Sequence, residues 1–255
     1  VTMKTTGDKI LHKTLDKIGG KGLFLKELDA ALLARTGWDI CVHSLKDVPV
    51  TENPALPIGA YSVRELPADV LVLPKGTSHW NPALPVGCAS ARRKMQFQQL
   101  YPEAVIQPVR GNVLTRLDKL DSGEYGALIL AEAGLKRLGL SDRIAYRFSP
   151  EELVPAAGQG ILAIQTRAGE YADLLARLNF LDGALCAKTE RQLALLLGGD
   201  CSAPVGCHAQ LHGTDMTLYG FSGIGGVPRY GSVQGNRNDA DLLVQQLASK
   251  LTITE

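Results

Sequence analysis

The 255 residues carry almost no net charge, with 27 Lys and Arg against 26 Asp and Glu and a formal balance of +1. A chain without a basic excess has no electrostatic reason to bind nucleic acid or an acidic membrane surface. Long apolar runs are also missing. Leu193 to Leu197, as long as any, reads as one helix face and is far short of a membrane span. The first twenty residues hold lysines but no apolar h-region, so no secretory signal is read there. Cysteines are few and show no paired spacing: Cys41, Cys88, Cys186, Cys201 and Cys207. That odd set suits a reducing, cytoplasmic compartment better than a disulfide framework. No histidine completes a zinc pattern with Cys201 and Cys207, so no metal site is expected. Internal repeats and low-complexity tracts are absent.

Hydrophobic content of 45% and charged content of 21% are globular values, and the length suits two or three domains. Within this neutral background five arginines cluster between Ser90 and Arg137: Arg92, Arg93, Arg110, Arg116 and Arg137. A guanidinium at a strand-to-helix turn suits a carboxylate or phosphate, because its fork donates two parallel bonds and the helix N-terminus adds donors. A small polyanion is therefore the expected ligand. The competing reading is a set of surface arginines paired with helix acids.

The pattern along the chain supports an α/β architecture. Thr5 to Gly22 reads as an exposed loop, Leu23 to Arg35 as a helix, Asp39 to His43 as a strand, and Ser44 to Pro49 as the turn after it. Strands are expected at Asp69–Leu73, Val86–Ala89, Ala104–Val109 and Ala127–Ala131. They alternate with helices at Ala91–Leu100, Asn112–Leu120 and Glu132–Leu138, the last closed by Gly139. Such alternation predicts ligands at the C-terminal strand ends, where four of the arginines lie. Beyond Pro155 the chain changes character. Gly158-Gln159-Gly160 reads as a joint, Ile161–Ile164 as a strand, and Asp182–Leu197 as a helix leading into Gly198-Gly199-Asp200-Cys201. Short strands (Cys207–Leu211, Thr217–Gly220), a glycine-rich stretch from Gly220 to Gly235 and a helix from Asp239 to Leu251 suggest a separate small domain.

Three places carry candidate chemistry. His43-Ser44-Leu45-Lys46-Asp47-Val48-Pro49 follows a strand. Asp47 there suits a general acid/base or an anion facing a cationic intermediate, and the competing reading is a turn with a solvated lysine. His43 is expected to be packed or hydrogen-bonded. Cys201 alone sits in a glycine-rich loop, while the other four cysteines have core contexts. Asp200 beside it raises the thiol pKa, so a permanent covalent attachment suits it better than protease-like nucleophilicity. Gly19-Gly20-Lys21-Gly22 lacks the spacing of a nucleotide loop, although Lys17 and Lys21 could close over an anion or simply be solvated.

These pieces, in this order, resemble the hydroxymethylbilane synthase (porphobilinogen deaminase) family. The match runs through Thr5-Thr6-Gly7-Asp8-Lys9-Ile10, Lys17–Phe24, Lys26-Glu27-Leu28, His43–Pro49, Ser90-Ala91-Arg92-Arg93 and Arg110-Gly111-Asn112-Val113 with Thr115-Arg116-Leu117. It continues through Leu120–Tyr125, Ala133–Gly139, Pro155-Ala156 with Gly158-Gln159-Gly160, Glu190-Arg191, and Cys201 with Pro204.

The resemblance implies a transferase that joins four porphobilinogen molecules head to tail, loses ammonia at each step and releases hydroxymethylbilane. Its primer is a dipyrromethane cofactor on a thioether to Cys201. It implies Asp47 as the catalytic aspartate, with Ser44, Lys46, Ser90, Arg92, Arg93, Arg110, Asn112, Arg116, Arg137 and Gln159 binding cofactor or substrate, Gln159 at a hinge position. Lys17, Lys21 and Phe24 match a lid. The implied fold has two periplasmic-binding-protein-like α/β lobes plus a small C-terminal α+β domain carrying the cysteine: 1–63 with 161–178, 66–155, and 181–255. The protein is expected to be a cytoplasmic monomer whose pathway neighbour is a uroporphyrinogen III synthase.

The chain departs from the family at named places. Its match begins after the family's opening strand and helix, with their Arg-x-Ser-x-Leu-Ala pattern, and stops short of the last helical stretch, as in a piece of a longer protein. Asp200 replaces a small residue, Ala203 a β-branched one, and Cys88-Ala89 a pair of hydroxyl residues before Ser90. The alternatives are a truncated, catalytically silent relative and a two-lobed small-anion-binding protein. Neither the Asp47 motif nor Cys201 has a role in plain anion capture.

Overall fold

The computed structural model describes residues 25–199 and 203–252. Three sheets organise them. The first has the order β1–β8–β2, with β1 Ile40–Ser44, β2 Ile58–Tyr61 and β8 Leu162–Thr166, all antiparallel. Helix α1 (Lys26–Leu33) packs on it through Leu32, which is buried with Cys41 and Leu56.

The second sheet has the order β5–β4–β6–β3–β7. Its strands are β3 Asp69–Val72, β4 Val86–Gly87, β5 Ile106–Gln107, β6 Ala127–Ala131 and β7 Ile144–Arg147. Helices α2 (Ala91–Leu100), α3 (Val113–Asp121) and α4 (Glu132–Arg137) connect them. β4 runs parallel to β5 and β6, as alternation with helices requires, while β3 is antiparallel to β6 and β7. The sheet is therefore mixed. Val86, Ala127, Leu128 and Ile129 are fully buried between its helices.

The third sheet is an antiparallel meander: β9 Val205–His212, β10 Asp215–Ser222 and β11 Arg229–Asn236. Helices α6 (Leu181–Leu196) and α7 (Ala240–Leu251) cover one face, burying Leu193, Cys207, Leu218, Val244 and Leu247 together. A short helix α5 (Ala172–Leu178) precedes them. The architecture is mixed α/β with a small C-terminal α+β unit. Among the described residues no helix is long and apolar enough to cross a membrane.

Two crossings join the first two sheets. The chain leaves the first sheet after Tyr61, builds the second, and returns to place β8 between β1 and β2. The return passes through Gly158-Gln159-Gly160. Gly160 has φ +90°, and a Cβ there would collide with the Glu65 carbonyl of the outgoing crossing. Only glycine lets the two crossings approach so closely, and Glu65 N–H donates to Gly160 O at 3.0 Å. Gln159 is thereby held at the junction, 1% exposed.

Candidate active site

β1 ends at Ser44, half-buried and paired with Leu162, and a single 3₁₀ turn, Leu45–Asp47, follows. Leu45 is buried and its N–H donates to Ile161 O at 3.0 Å, so the turn is anchored against the returning crossing. That anchoring aims Lys46 inward and leaves Asp47 exposed. His43 is buried, with Nε2 3.0 Å from Gln165 Oε1; burial pushes its pKa down, against Gln165 and nearby Asp29 and Asp47. It packs as a hydrogen-bonded histidine.

Opposite this turn stands the N-terminus of α2. Ser90 caps it, accepting from Arg93 N–H at 3.4 Å. Arg92 and Arg93 lie in its first turn, 3% and 7% exposed, and both reach one carboxylate, Asp69 at the start of β3. Arg92 Nη1 donates to Asp69 Oδ2 at 2.6 Å and to Val154 O at 2.6 Å. Arg93 Nε and Nη2 face Asp69 Oδ1 at 2.9 and 2.7 Å. Gln159 Nε2 donates to the same oxygen at 2.8 Å, and its Oε1 accepts from Lys46 Nζ at 3.2 Å and from Arg93 Nη2 at 3.4 Å. Burial alone would raise the Asp69 pKa, but the two guanidiniums beside it hold the carboxyl well below the usual range. Lys46 is half-buried by surface area yet walled in by protein. Burial first, then the charge of Arg93, pushes its ammonium down to about 8, against the pull of Asp47 and Asp69.

The remaining predicted arginines are placed by the next elements. Asn112 caps α3, accepting from Thr115 N–H at 2.9 Å. One turn on, Arg116 donates through Nε to Gly111 O at 2.8 Å. Burial, then the charges of Arg93 and Arg110, lower its pKa while Asp47 opposes them, so Arg93, Arg110, Arg116 and Asp47 share one electrostatic neighbourhood. Arg137, at the end of α4, is exposed and donates to Gly160 O at 3.2 Å, on the returning crossing. The four described cysteines, Cys41, Cys88, Cys186 and Cys207, are buried with free thiols. Cys88 donates its S–H to Ser90 O at 3.6 Å. Lys17, Lys21, Phe24, Asp200 and Cys201 lie outside the described residues.

A small cavity brings three of the predicted residues together and is not lined by Asp47, Arg93, Arg110, Asn112, Arg116, Arg137 or Gln159. Lys46, Ser90 and Arg92 line it, with Arg191 of α6 and with Gly199 and Ala203, the described residues nearest Cys201 on either side. Three cations, Lys46, Arg92 and Arg93, face two carboxylates, Asp47 and Asp69, leaving one positive charge in excess before Arg110 and Arg116 are counted. Such a donor set fits a ligand bearing several carboxylates.

Sequence reasoning missed three members of this framework. Asp69 reads in sequence as the first residue of a strand. Arg64 and Glu190 form a buried double-pronged ion pair between the first crossing and α6, with Arg64 Nη2 to Glu190 Oε2 at 3.2 Å. Glu190 also accepts from Gly158 N–H and Ala209 N–H, each at 2.7 Å. No local pattern marks these pairs, because their partners are far away in sequence.

Comparison with known proteins agrees with the geometry. The profile "Porphobilinogen deaminase, dipyromethane cofactor binding domain" matches residues 1–173, and "Porphobilinogen deaminase, C-terminal domain" matches residues 184–252. A porphobilinogen deaminase of Acetivibrio thermocellus is 50% identical over 98% of this chain and 86% of its own length. Those of Ruminiclostridium josui and Chromobacterium violaceum are 47% and 45% identical, each over 98% of this chain and over 86% and 82% of their own lengths. With its arginine-lined cavity and both profiles matched in order, this chain belongs to the porphobilinogen deaminase family.

Proposed function

We propose that this chain condenses four porphobilinogen molecules, head to tail, into hydroxymethylbilane, using the cavity lined by Lys46, Arg92, Gly199 and Ala203. The observation that carries the reading is the gathering of Lys46, Arg92 and Arg93 around Gln159 and Asp69 across two sheets, with Lys46, Arg93 and Arg116 all within the electrostatic reach of Asp47. Porphobilinogen carries an acetate and a propionate on each ring, so every addition brings two carboxylates that guanidiniums can hold. When the aminomethyl nitrogen leaves as ammonia, a cation remains on the substrate. The exposed Asp47 carboxylate faces that charge and accepts a hydrogen bond from the pyrrole N–H. Ser44, Lys46, Ser90, Arg92 and Arg93 hold carboxylates near the primer; Arg110, Asn112, Arg116 and Arg137 serve the lengthening chain; Gln159 couples the lobes. Lys17, Lys21 and Phe24 form the lid in this reading.

A dipyrromethane on a thioether to Cys201 supplies the primer and its carboxylates. Its fit is supported by the positive excess and by Gly199 and Ala203 on the cavity wall. We read the three sheets as three domains, 1–63 with 161–178, 66–155 and 181–255. The protein works as a cytoplasmic monomer, and its unstable product passes to a uroporphyrinogen III synthase.

Intact mass of the protein, produced with ample porphobilinogen, tests the reading. A dipyrromethane adduct that disappears in Cys201→Ser is expected, with the matching colour from Ehrlich's reagent. An unmodified Cys201 thiol would overturn it.

A further inference from the structure

Among the polar groups of the site, Asp69 is the buried carboxylate that holds the arginines of the second lobe directly and reaches the first lobe through Gln159. Its side chain is fully buried, and it touches Arg92, Arg93 and Gln159 within 2.6–2.9 Å. Gln159 uses its other end on Lys46, which belongs to the first sheet's turn. The order Asp69–Gln159–Lys46 therefore crosses from the second lobe to the first in two hydrogen bonds. Gln159 Oε1 also accepts from Arg93 Nη2, so two cations share one acceptor. Like charges that close repel unless an anion lies behind them.

We infer that Asp69 is a positioning residue of this site, holding Arg92 and Arg93 directly and Lys46 through Gln159, so that the cations of both lobes meet the ligand as one preset array. The inference rests on the proposed function for its purpose, though not for its geometry. Asp69 touches no reacting atom. Asp47 lies on Lys46's own turn, Asp69 comes from β3, Arg92 and Arg93 from α2, and Gln159 from the returning crossing, while Arg191 of α6 lines the same cavity. Asp69 is the only carboxylate the second lobe contributes among these described groups. Without its charge, Lys46, Arg92 and Arg93 would face Asp47 alone. A buried carboxylate acting on Lys46 through its charge alone would leave the ionisation of Lys46 indifferent to Gln159, which carries no charge. A positioning role makes that ionisation depend on Asp69 and on Gln159.

The test follows the Lys46 amine directly, by NMR of the ¹³C-dimethylated protein, with Lys46→Arg identifying the signal. Asp69→Asn should move the Lys46 titration midpoint to lower pH and raise the KM for porphobilinogen about tenfold, as expected for a lost charge-assisted carboxylate contact of roughly one pKa unit. Gln159→Leu, which leaves the Asp69–arginine pairs intact, should move the midpoint the same way, because it removes an acceptor that favours the ammonium. An unmoved Lys46 midpoint in the folded Asp69→Asn protein would overturn the inference. Should Asp69→Asn fail to fold, an unmoved midpoint in Gln159→Leu would overturn it equally. The NMR titration needs no turnover. An inactive parent protein with a moving midpoint would therefore sink the proposed function and leave the role of Asp69 standing.

Discussion

Arg191 Nη2 donates to the backbone carbonyl of Pro49 at 2.7 Å, two residues beyond Asp47. Its guanidinium also reaches the Val48 and Val50 carbonyls, at 3.2 Å each, and Glu52 at 3.2 Å. One side chain from α6 thus fixes the outgoing end of the Asp47 turn, as the Leu45–Ile161 bond fixes the incoming end. Arg191 is 6% exposed, so losing it strands carbonyls that water cannot readily solvate. Arg191→Ala should destabilise the fold by about 2–3 kcal/mol. Lysine cannot span three carbonyls with one ammonium, so Arg191→Lys should recover less than half. Urea midpoints with unchanged m-values would check both. A loss under 1 kcal/mol in the alanine variant would contradict the anchoring role.

Acid should weaken the fold above the ordinary carboxylate range. His208, 4% exposed, stacks on Tyr219 and places Nδ1 3.5 Å from Glu190. Burial pushes its pKa down, more than Glu190 pushes it up, and His43 is shifted in the same direction. Both histidines take up a proton more readily once unfolded, near pH 6.5. Their contribution is complete above that pH and is lost as pH falls toward the folded-state values. Each adds a slope of up to about 1.4 kcal/mol per pH unit in that window. Asp69 and Glu190, whose pKa values are depressed against burial by their guanidinium partners, extend the loss below the ordinary carboxylate range. The unfolding free energy should therefore fall between pH 7 and 5, and His208→Gln should flatten that decline. Parallel curves for the two proteins would rule out His208 as a contributor.

The parts of this molecule that were legible in sequence are those specified locally. Ser90 caps α2 and the run Ala127–Ala131 is uniformly apolar, so α2 and β6 have the boundaries the sequence predicts. The alternation of strands and helices in the second sheet was equally readable. β11 was not, because it lies in a glycine-rich stretch that reads as loop. The glycines there serve packing: a Cβ at Gly235 would come within 2.9 Å of Leu243 Cδ2, on the helix that covers the sheet. β2, β7 and α5 were missed as well. β2 and β7 are four-residue edge strands, defined by pairing with β8 and β3 rather than by their own periodicity. The same limit hid Asp69, whose meaning depends on Arg92, Arg93 and Gln159, 23, 24 and 90 residues away.

Lys46 gives the site an alkaline limit. Its ammonium, pushed down to about 8 by burial and by Arg93, is half charged at that pH, and it loses its charge as pH rises through it. A neutral amine donates a weaker hydrogen bond to a carboxylate than a cation does. The KM for porphobilinogen should therefore climb above pH 8 while kcat changes little, because the effect is on binding. Arginine stays charged throughout that range. Lys46→Arg should accordingly abolish the climb, even if its bulk raises KM at every pH. A climb that persists unchanged in Lys46→Arg would assign the limb to another group.

Asp47 is exposed on a turn held from both sides, so its side chain can change without disturbing the core. Asp47→Asn keeps the shape and a hydrogen-bond acceptor but removes the charge. Thermal stability should stay within about 0.5 kcal/mol of the parent, as for a surface substitution. The cationic intermediate loses its counter-charge, which is a transition-state interaction rather than uniform binding. Turnover should fall by about 10²–10³, the range seen when one electrostatic stabiliser is removed from an active site. The mass of the purified variant should still show a loaded primer, since arginine-held carboxylates do not need Asp47. Single-turnover mixing with porphobilinogen, followed by mass spectrometry, separates these outcomes. Chain extension at the parent rate would remove Asp47 from the chemistry, and an empty Cys201 in this variant would place Asp47 in primer assembly as well.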